Sequence, residues 1–173
     1  MDALRSPYPP DPDPDAAAPD SLEDAVDARF EHADLSNERF RGSTLRRVEL
    51  HLCRLTGAEL AEAEWTDVTA SDCRLDLTGF RYATLVRVVF RDCILEEADF
   101  ARATLRDVRF ERCRLRLAVF TGATAERVQL DGCELDGLAG IEALRGARMR
   151  WDDVVQNAPL FARALGIEIL ADE

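Results

Sequence analysis

The sequence predicts an all-β solenoid, a chain wound into a four-sided coil with five residues on each side. Two periods predict this fold. A large apolar residue stands at every fifth position from Phe30 to Leu135; of these 22 positions, 20 are Leu, Phe or Trp and two are Ala. Neither an α-helix nor a β-strand has a period of five. Val and Cys recur every 20 residues, so four five-residue sides complete one turn.

The same periods predict which side chains point inward. Two residues before nearly every large apolar residue stands a small one, as at Ala58 and Ala98; Glu38, before Phe40, is an exception. We expect these two positions to face the interior and the other three of each unit to face outward. Consecutive turns joined as parallel strands would lie about 4.8 Å apart. Small inward residues then let the backbone close around the large ones.

The N-terminal segment has a different composition. Residues 1–30 carry eight of the 34 acids but only two of the 22 basic residues, all of which are Arg. Proline removes backbone donors and like charges repel each other, so residues 1–20 are predicted to be a disordered, acidic, Pro-rich tail. Ser21 to Asp24 has the pattern of a helix start. Residues 21–29 are therefore predicted to form a short N-terminal capping helix.

The five-residue unit resembles that of the pentapeptide-repeat family, A-(D/N)-L-x-x. The segments Ala33 to Asn37 and Ala98 to Arg102 match it outright. The resemblance implies a right-handed quadrilateral β-helix of about 22 repeats over residues 30–150. The phase slips by one residue between Gly137 and Gly140 and then resumes, which predicts an irregular last coil.

Residues 151–173 are predicted to form a C-terminal helical cap and a terminal strand. Asp152 suits a helix start and Gly166 a helix end. Pro159 cannot stand inside a straight helix, so we expect two short helices or one bent helix. Ile167 to Leu170 is predicted to be the strand. Such a segment would cover the unpaired edge at the end of the coil.

The resemblance also bears on assembly. In quinolone-resistance members of the family from bacteria, a C-terminal helical segment of similar composition joins two subunits end to end. By this resemblance, a homodimer interface would be formed by Val154, Val155, Leu160, Phe161 and Leu165. The alternative is that the segment only caps a monomer, and the sequence leaves both open.

The sequence contains little that indicates catalysis. Its cysteines are predicted to form a buried structural ladder, because a line of sulfurs spaced by one coil cannot surround a zinc ion. His32 and His51 share one outer face with Asp72 and Asp92. These four side chains are either a sparse set of metal ligands or ordinary exposed surface residues. We predict no catalytic residue, no cofactor and no metal site, and hence no enzyme. The ladder consists of Cys53, Cys73, Cys93, Cys113 and Cys133.

The resemblance suggests a specific partner. Family members of the quinolone-resistance type bind DNA gyrase or topoisomerase IV by resembling duplex DNA in shape and charge. Duplex DNA would present about 14 charges over the rise of five coils, whereas residues 31–135 carry 19 acids against 16 Arg. The net charge of the coil therefore resembles that of duplex DNA only weakly. The candidate partner-facing acids on the two mildly acidic faces are Asp72, Asp76, Asp92, Glu96, Glu97, Asp131 and Glu134.

The competing prediction is a general protein–protein interaction scaffold without a role at topoisomerases. Its charges would then be a solvated surface with ion pairs between layers. The net charge of −12 argues against direct nucleic-acid binding. There is no run of 18 apolar residues and no secretory signal pattern at the start, so we expect no membrane span and a cytoplasmic location.

Overall fold

The chain winds into a solenoid of parallel strands, as the two periods predict. The structure is a computed structural model that describes residues 3–11 and 21–170. One parallel sheet contains all the strands, in the order β1-β2-β3-β4-β5-β7-β8, with β6 also beside β5. The strands are β1 (Val26–Glu31), β2 (Thr44–His51), β3 (Glu64–Ser71), β4 (Thr84–Arg91), β5 (Thr104–Glu111), β6 (Thr124–Glu126), β7 (Gln129–Asp131) and β8 (Arg148–Met149).

The register between neighbouring strands equals the long sequence period. Leu50 pairs with Ala70, and Phe90 pairs with Phe110. The two remaining sides of the coil are held by isolated parallel bridges with the same offset of 20, such as Asp34 to Arg54. In the last turn Leu130 pairs with Met149, an offset of 19. This confirms the predicted slip of one residue before an irregular last coil.

The inward columns form one continuous core. Phe80, Phe100 and Phe120 stack with centroids 4.8 Å apart, and Phe90 stacks on Phe110 at 5.2 Å. The small inward residues, Ala58 and Ala98 among them, are fully buried. Where Ala70 replaces a large residue, the neighbouring column compensates. The ring of Trp65 stacks 6.1 Å from that of Phe90, the residue above Ala70.

Each corner of the coil has a residue in the left-handed region of φ. These residues follow the large apolar position by two, as Leu77 (φ 59°) and Leu117 (φ 58°) do. The conformation costs a non-glycine residue roughly 1–2 kcal/mol. It turns the chain while the corner amide still bonds to the next coil, as from the amide of Leu77 to the carbonyl of Glu96 (2.9 Å).

The predicted N-terminal helix over residues 21–29 is wrong. Ser21 to Asp24 makes a turn in which the Ser21 hydroxyl accepts a hydrogen bond from the Glu23 amide (3.0 Å). The chain then enters β1, whose Val26 already pairs with Arg46 of β2. Backbone pairing along the open edge of β2 outweighs the local helix signal, because an unpaired strand edge leaves a row of donors and acceptors unsatisfied.

The N-terminal tail also differs from the prediction of disorder. Residues 3–11, hereafter the strap, lie extended along the outside of the sheet, and Pro10 is buried there. Carboxylates on the coil accept hydrogen bonds from the backbone amides of this segment, and no local signal in the sequence indicates these contacts. The rest of the predicted tail, residues 1–2 and 12–20, lies outside the described residues.

Helical segments close the C-terminal end. A 3-10 turn (Ile141–Leu144) precedes β8, and two short helices follow it, α1 (Trp151–Gln156) and α2 (Ala158–Ala164). Of the two alternatives left open by Pro159, the structure has two separate helices, with Pro159 in the first turn of α2. Gly166 has φ 71° just beyond α2, as expected of a helix end.

The predicted terminal strand is wrong. Ile167 to Leu170 has no strand partner among the described residues, and Leu170 is 85% exposed. The short β8 already pairs with β7, and α2 packs on the core of the coil through Leu160 before the chain reaches Ile167. Within the described chain, no helix has the length and apolar character needed to span a membrane.

Candidate interaction surfaces

One corner of the coil carries Asp and Arg in strict alternation. We call this column the Asp–Arg edge; from the first coil upward it consists of Asp27, Arg47, Asp67, Arg87, Asp107 and Arg127. Each Arg donates two hydrogen bonds to the carboxylate of the Asp one coil below. Arg87 donates to the two carboxylate oxygens of Asp67 at 2.6 and 2.8 Å, and Arg127 donates to those of Asp107 at 2.7 and 2.9 Å. The edge therefore consists of three bidentate ion pairs.

The strap supplies further donors to the same carboxylates. The backbone amides of Arg5, Tyr8 and Asp11 donate to the Oδ1 atoms of Asp107, Asp67 and Asp27 at 3.2, 3.1 and 3.2 Å. Asp107 is 2% exposed and Asp67 is 7% exposed. These buried carboxylates thus accept hydrogen bonds from both an arginine and a backbone amide.

These contacts lower the pKa of all three carboxyl groups. The Arg47 side chain, opposed by burial and helped by the Asp11 amide, lowers the pKa of Asp27 to about 2. Hydrogen bonding from Arg127 likewise lowers the pKa of Asp107. Burial acts to raise the pKa of Asp67, but the hydrogen bonds from Arg87 and Tyr8 outweigh it and the net direction is down.

We expect the stability of the protein to fall in acid. A carboxyl group whose pKa is depressed by folding stabilises the folded state above its unfolded pKa of about 3.9, and that contribution is lost as pH falls through the folded pKa. The relevant window thus runs from about pH 4 down to about pH 2. Thermal melts at pH 5 and at pH 2.5 measure the effect. An unchanged or higher melting temperature at pH 2.5 would contradict this assignment.

The predicted partner-facing acids are mostly neutralised by arginines. Arg112 donates to both carboxylate oxygens of Asp92 at 2.7 Å, and the Arg150 guanidinium lies 2.7 Å from the Asp131 carboxylate. The other contacts are longer, or made with a neutral group. Asp76 accepts from the Thr56 hydroxyl (2.9 Å) and lies 3.6 Å from Arg74, Glu96 lies 3.4 Å from Arg114, and Asp72 lies 3.8 Å from His51. Among the described residues, Glu97 and Glu134 have no side-chain partner. This pattern matches ion pairs between layers better than a DNA-like run of free charge.

A second edge has exposed leucines, which the sequence analysis missed. Leu77, Glu97 and Leu117 occupy successive corner positions diagonally opposite the Asp–Arg edge; we call them the leucine edge. Leu77 is 56% exposed and Leu117 is 55% exposed. Gly137 makes room for Leu117, because a Cβ at Gly137 would lie 2.6 Å from Leu117 Cδ2. The signal was visible in the sequence as leucine at an outward phase of the five-residue unit.

The predicted dimer residues fall into two groups. Leu160 packs against the core of the coil, and Phe161 lines a cavity between α2 and the last coil, so both take part in capping. Val154 is half-buried on α1. Val155 (55% exposed) and Leu165 (75% exposed) remain on the outer surface. The first group fits a cap and the second leaves an apolar end surface; the homodimer stays a prediction.

The helical cap is fixed to the last coil by Asp153. Its carboxylate accepts a hydrogen bond from the Gly132 amide (2.9 Å), and the Asn157 side chain donates to its backbone carbonyl (2.8 Å). Both residues are buried. A polar contact therefore sets the direction in which α1 leaves the coil.

The five predicted ladder cysteines lie buried in one column. Each thiol donates to a backbone carbonyl of the coil below, as Cys93 Sγ does to the Ala70 carbonyl (3.4 Å). The neighbouring thiol and burial raise the pKa of Cys93 and Cys113 to about 12. His32 and His51 are exposed, and no group of three or more His, Cys, Asp or Glu residues in the described chain is placed to hold a metal ion.

Two family models match the coil. One, described as "Pentapeptide repeats (8 copies)", covers residues 26–61, and the other, described as "Pentapeptide repeat region", covers residues 63–139. Together they span the regular turns. Among curated proteins, none matches this chain.

Several solved structures have a similar fold. Trypsin-treated QnrB1, a plasmid-mediated fluoroquinolone resistance protein, is 18% identical with a TM-score of 0.49; 87% of this chain and 94% of that one are covered. HetL, involved in heterocyst differentiation regulation in the cyanobacterium Nostoc, is 16% identical (TM-score 0.38; 75% and 91% covered). Rfr23 from the cyanobacterium Cyanothece is 18% identical (TM-score 0.36; 72% and 85% covered). Such distant likenesses do not indicate a shared role.

Proposed function

We propose that this chain, which belongs to the pentapeptide-repeat family, is a non-enzymatic protein that binds a protein partner through its leucine edge. Function in such a coil lies in the sites on its surface rather than in the fold. Most outward charges of the coil are engaged in ion pairs between turns. The leucine edge combines exposed apolar side chains with the carboxylate of Glu97, which has no side-chain partner in the described part of the chain.

The observation that carries this proposal is the presence of two exposed leucines on one corner of the coil. Both stand in the left-handed region, where a bulky side chain is unfavourable and Asn or Gly is preferred. Both are also more than half exposed, so folding gains little from burying them. Two turns of the coil, about 9.6 Å, separate them. A single exposed leucine such as Leu52 is ordinary for a protein surface, whereas two on one edge offer an apolar contact to a partner.

We propose a type II topoisomerase, DNA gyrase or topoisomerase IV, as the partner to test first. The rod of uninterrupted turns and the exposed apolar end at Trp151, Val155 and Leu165 support it, since a dimer through that end would double the length of the rod. The pairing of acids with arginines weakens a mimicry of DNA based on charge alone. Binding would then depend on the shape of the rod and on the leucine edge.

A supercoiling assay with purified DNA gyrase, with and without a fluoroquinolone, tests this partner. We expect the protein to inhibit supercoiling or to restore activity in the presence of the drug. The double variant Leu77→Asn/Leu117→Asn should lose the effect, because Asn removes the apolar side chains yet suits the left-handed corners, so the coil stays folded. Circular dichroism of each variant verifies the fold.

The chain offers a matched control. Leu52 is also an exposed corner leucine (44% exposed, φ 54°), but it lies on a different corner of the coil. Leu52→Asn should leave the supercoiling effect unchanged. No effect of the wild-type protein at concentrations far above that of the enzyme would exclude the topoisomerase. An equal loss in Leu52→Asn would exclude the leucine edge as the specific contact.

A further inference from the structure

The strap matches the spacing of the Asp–Arg edge. Its three donating amides belong to Arg5, Tyr8 and Asp11, three residues apart, and their acceptors are 40 residues apart, which is every second coil. Three residues of a polyproline-II helix rise about 9.3 Å, and two coils rise about 9.6 Å. A polyproline-II segment thus meets a carboxylate at each of its turns without stretching.

The side chains of the strap follow the same period of three. Leu4 and Pro7 are half-buried and Pro10 is buried, whereas Ala3, Ser6 and Pro9 are exposed. Each inward residue directly precedes one of the donating amides. The strap therefore presents an apolar side chain and then an amide donor at every turn, and the edge presents a carboxylate at every second coil.

Side chains of the coil complete the binding surface. The Arg87 guanidinium lies over the Tyr8 ring, 5.7 Å from its centroid. Arg109 donates to the Leu4 carbonyl (3.4 Å) and to the Ser6 hydroxyl (3.2 Å). In the same column as Arg109, the short side chains of Thr69 and Val89 line a shallow cavity together with Pro7 and Pro9. The coil therefore supplies a cation–π contact to the tyrosine of the strap and an apolar surface to its prolines.

We propose that the Asp–Arg edge is a binding site for polyproline-II segments, which the strap occupies in cis and for which a proline-rich segment of a partner protein competes. The contacts to the edge are made by backbone amides and by an apolar residue, Leu4, Pro7 or Pro10, at every third position, so they fit a proline-rich segment with that pattern. The strap has the advantage of belonging to the same chain, which gives it a high local concentration. The strap then acts as an intramolecular competitor. This site lies diagonally opposite the leucine edge, and the proposal is independent of the proposed function.

The test uses the full chain with the strap displaced. In the variant Leu4→Glu/Pro7→Glu/Pro10→Glu, every inward residue of the strap becomes charged and faces the carboxylates of the edge. The probe is a fluorescent synthetic peptide of residues 3–11, and its anisotropy is measured against each full-length protein. We expect the peptide to bind the inward variant at least about tenfold more tightly than it binds the wild-type chain, whose site is occupied.

Two matched controls make the result specific. The variant Ala3→Glu adds a negative charge at an exposed position of the strap that takes no part in the contacts described above, and it should bind the peptide as weakly as the wild type does. A peptide carrying Tyr8→Pro keeps the polyproline-II conformation but lacks both the amide that donates to Asp67 and the ring that lies under Arg87, and it should bind the inward variant less well than the parent peptide. The proposal is overturned if no binding to the inward variant is seen, if both variants bind the peptide equally, or if the Tyr8→Pro peptide binds as tightly as its parent.

Discussion

Replacing Phe100 by alanine is expected to destabilise the protein by about 3–5 kcal/mol, the range for removing a large aromatic side chain from a core. Phe100 is fully buried and stacks between Phe80 and Phe120 at 4.8 Å on either side. It also meets Phe90 and Phe110 edge to face, at 6.4 and 5.9 Å. Among the described residues, only Phe90 makes as many ring contacts. Urea denaturation followed by circular dichroism measures the change in the free energy of unfolding.

Phe100→Leu is the matched control for that variant. Leucine fills the equivalent position in the neighbouring units, at Leu95 and Leu105, so the coil geometry accepts it. A hydrophobic exchange that nearly preserves volume costs less than about 1.5 kcal/mol. An alanine variant as stable as the leucine variant would show that the aromatic columns do not hold the coil together.

Replacing Gly140 by alanine is expected to loosen the last coil. Gly140 has φ 77°, and a Cβ there would lie 2.4 Å from the backbone nitrogen of Thr121 and 2.6 Å from the carbonyl carbon of Phe120. The left-handed conformation costs alanine roughly 1 kcal/mol, and displacing the neighbouring backbone roughly another 1–3 kcal/mol. Hydrogen exchange measured by mass spectrometry should show faster exchange in residues 141–164, with the first turns unchanged.

Gly146→Ala separates the two contributions. Gly146 has a similar φ of 84°, but nothing lies within 4 Å of the position its Cβ would take. This control carries only the conformational cost and should be affected much less than Gly140→Ala. If the two variants lose equal stability, the close approach at Gly140 is not what fixes the slip in phase.

The coil was predictable because its periods are read directly from the side chains. A large apolar residue at every fifth position and Val and Cys at every twentieth allow only one way to stack the turns, and the register of 20 follows. The slip of one residue was also visible, as a change of phase between Gly137 and Gly140. The two short helices followed from Asp152, Pro159 and Gly166, which act through local backbone geometry.

Features that depend on contacts between distant segments were not predictable in the same way. The turn that replaced the expected helix at Ser21 arises from pairing with β2, and the expected strand at Ile167 found no partner. The strap lies on carboxylates as many as 102 residues away in sequence, such as Asp107. Only two signals for these surfaces were present in the sequence: the alternation of Asp and Arg every 20 residues, and leucine at an outward phase.

Binding of a protein partner through the leucine edge is best tested by the anisotropy of fluorescently labelled protein titrated with purified DNA gyrase, and then with duplex DNA as a competitor. We expect saturable binding that duplex DNA displaces, a loss of affinity of at least about tenfold in Leu77→Asn/Leu117→Asn, equivalent to ~1.4 kcal/mol, and unchanged affinity in Leu52→Asn. Binding that survives the double substitution, or no binding at all, would contradict it.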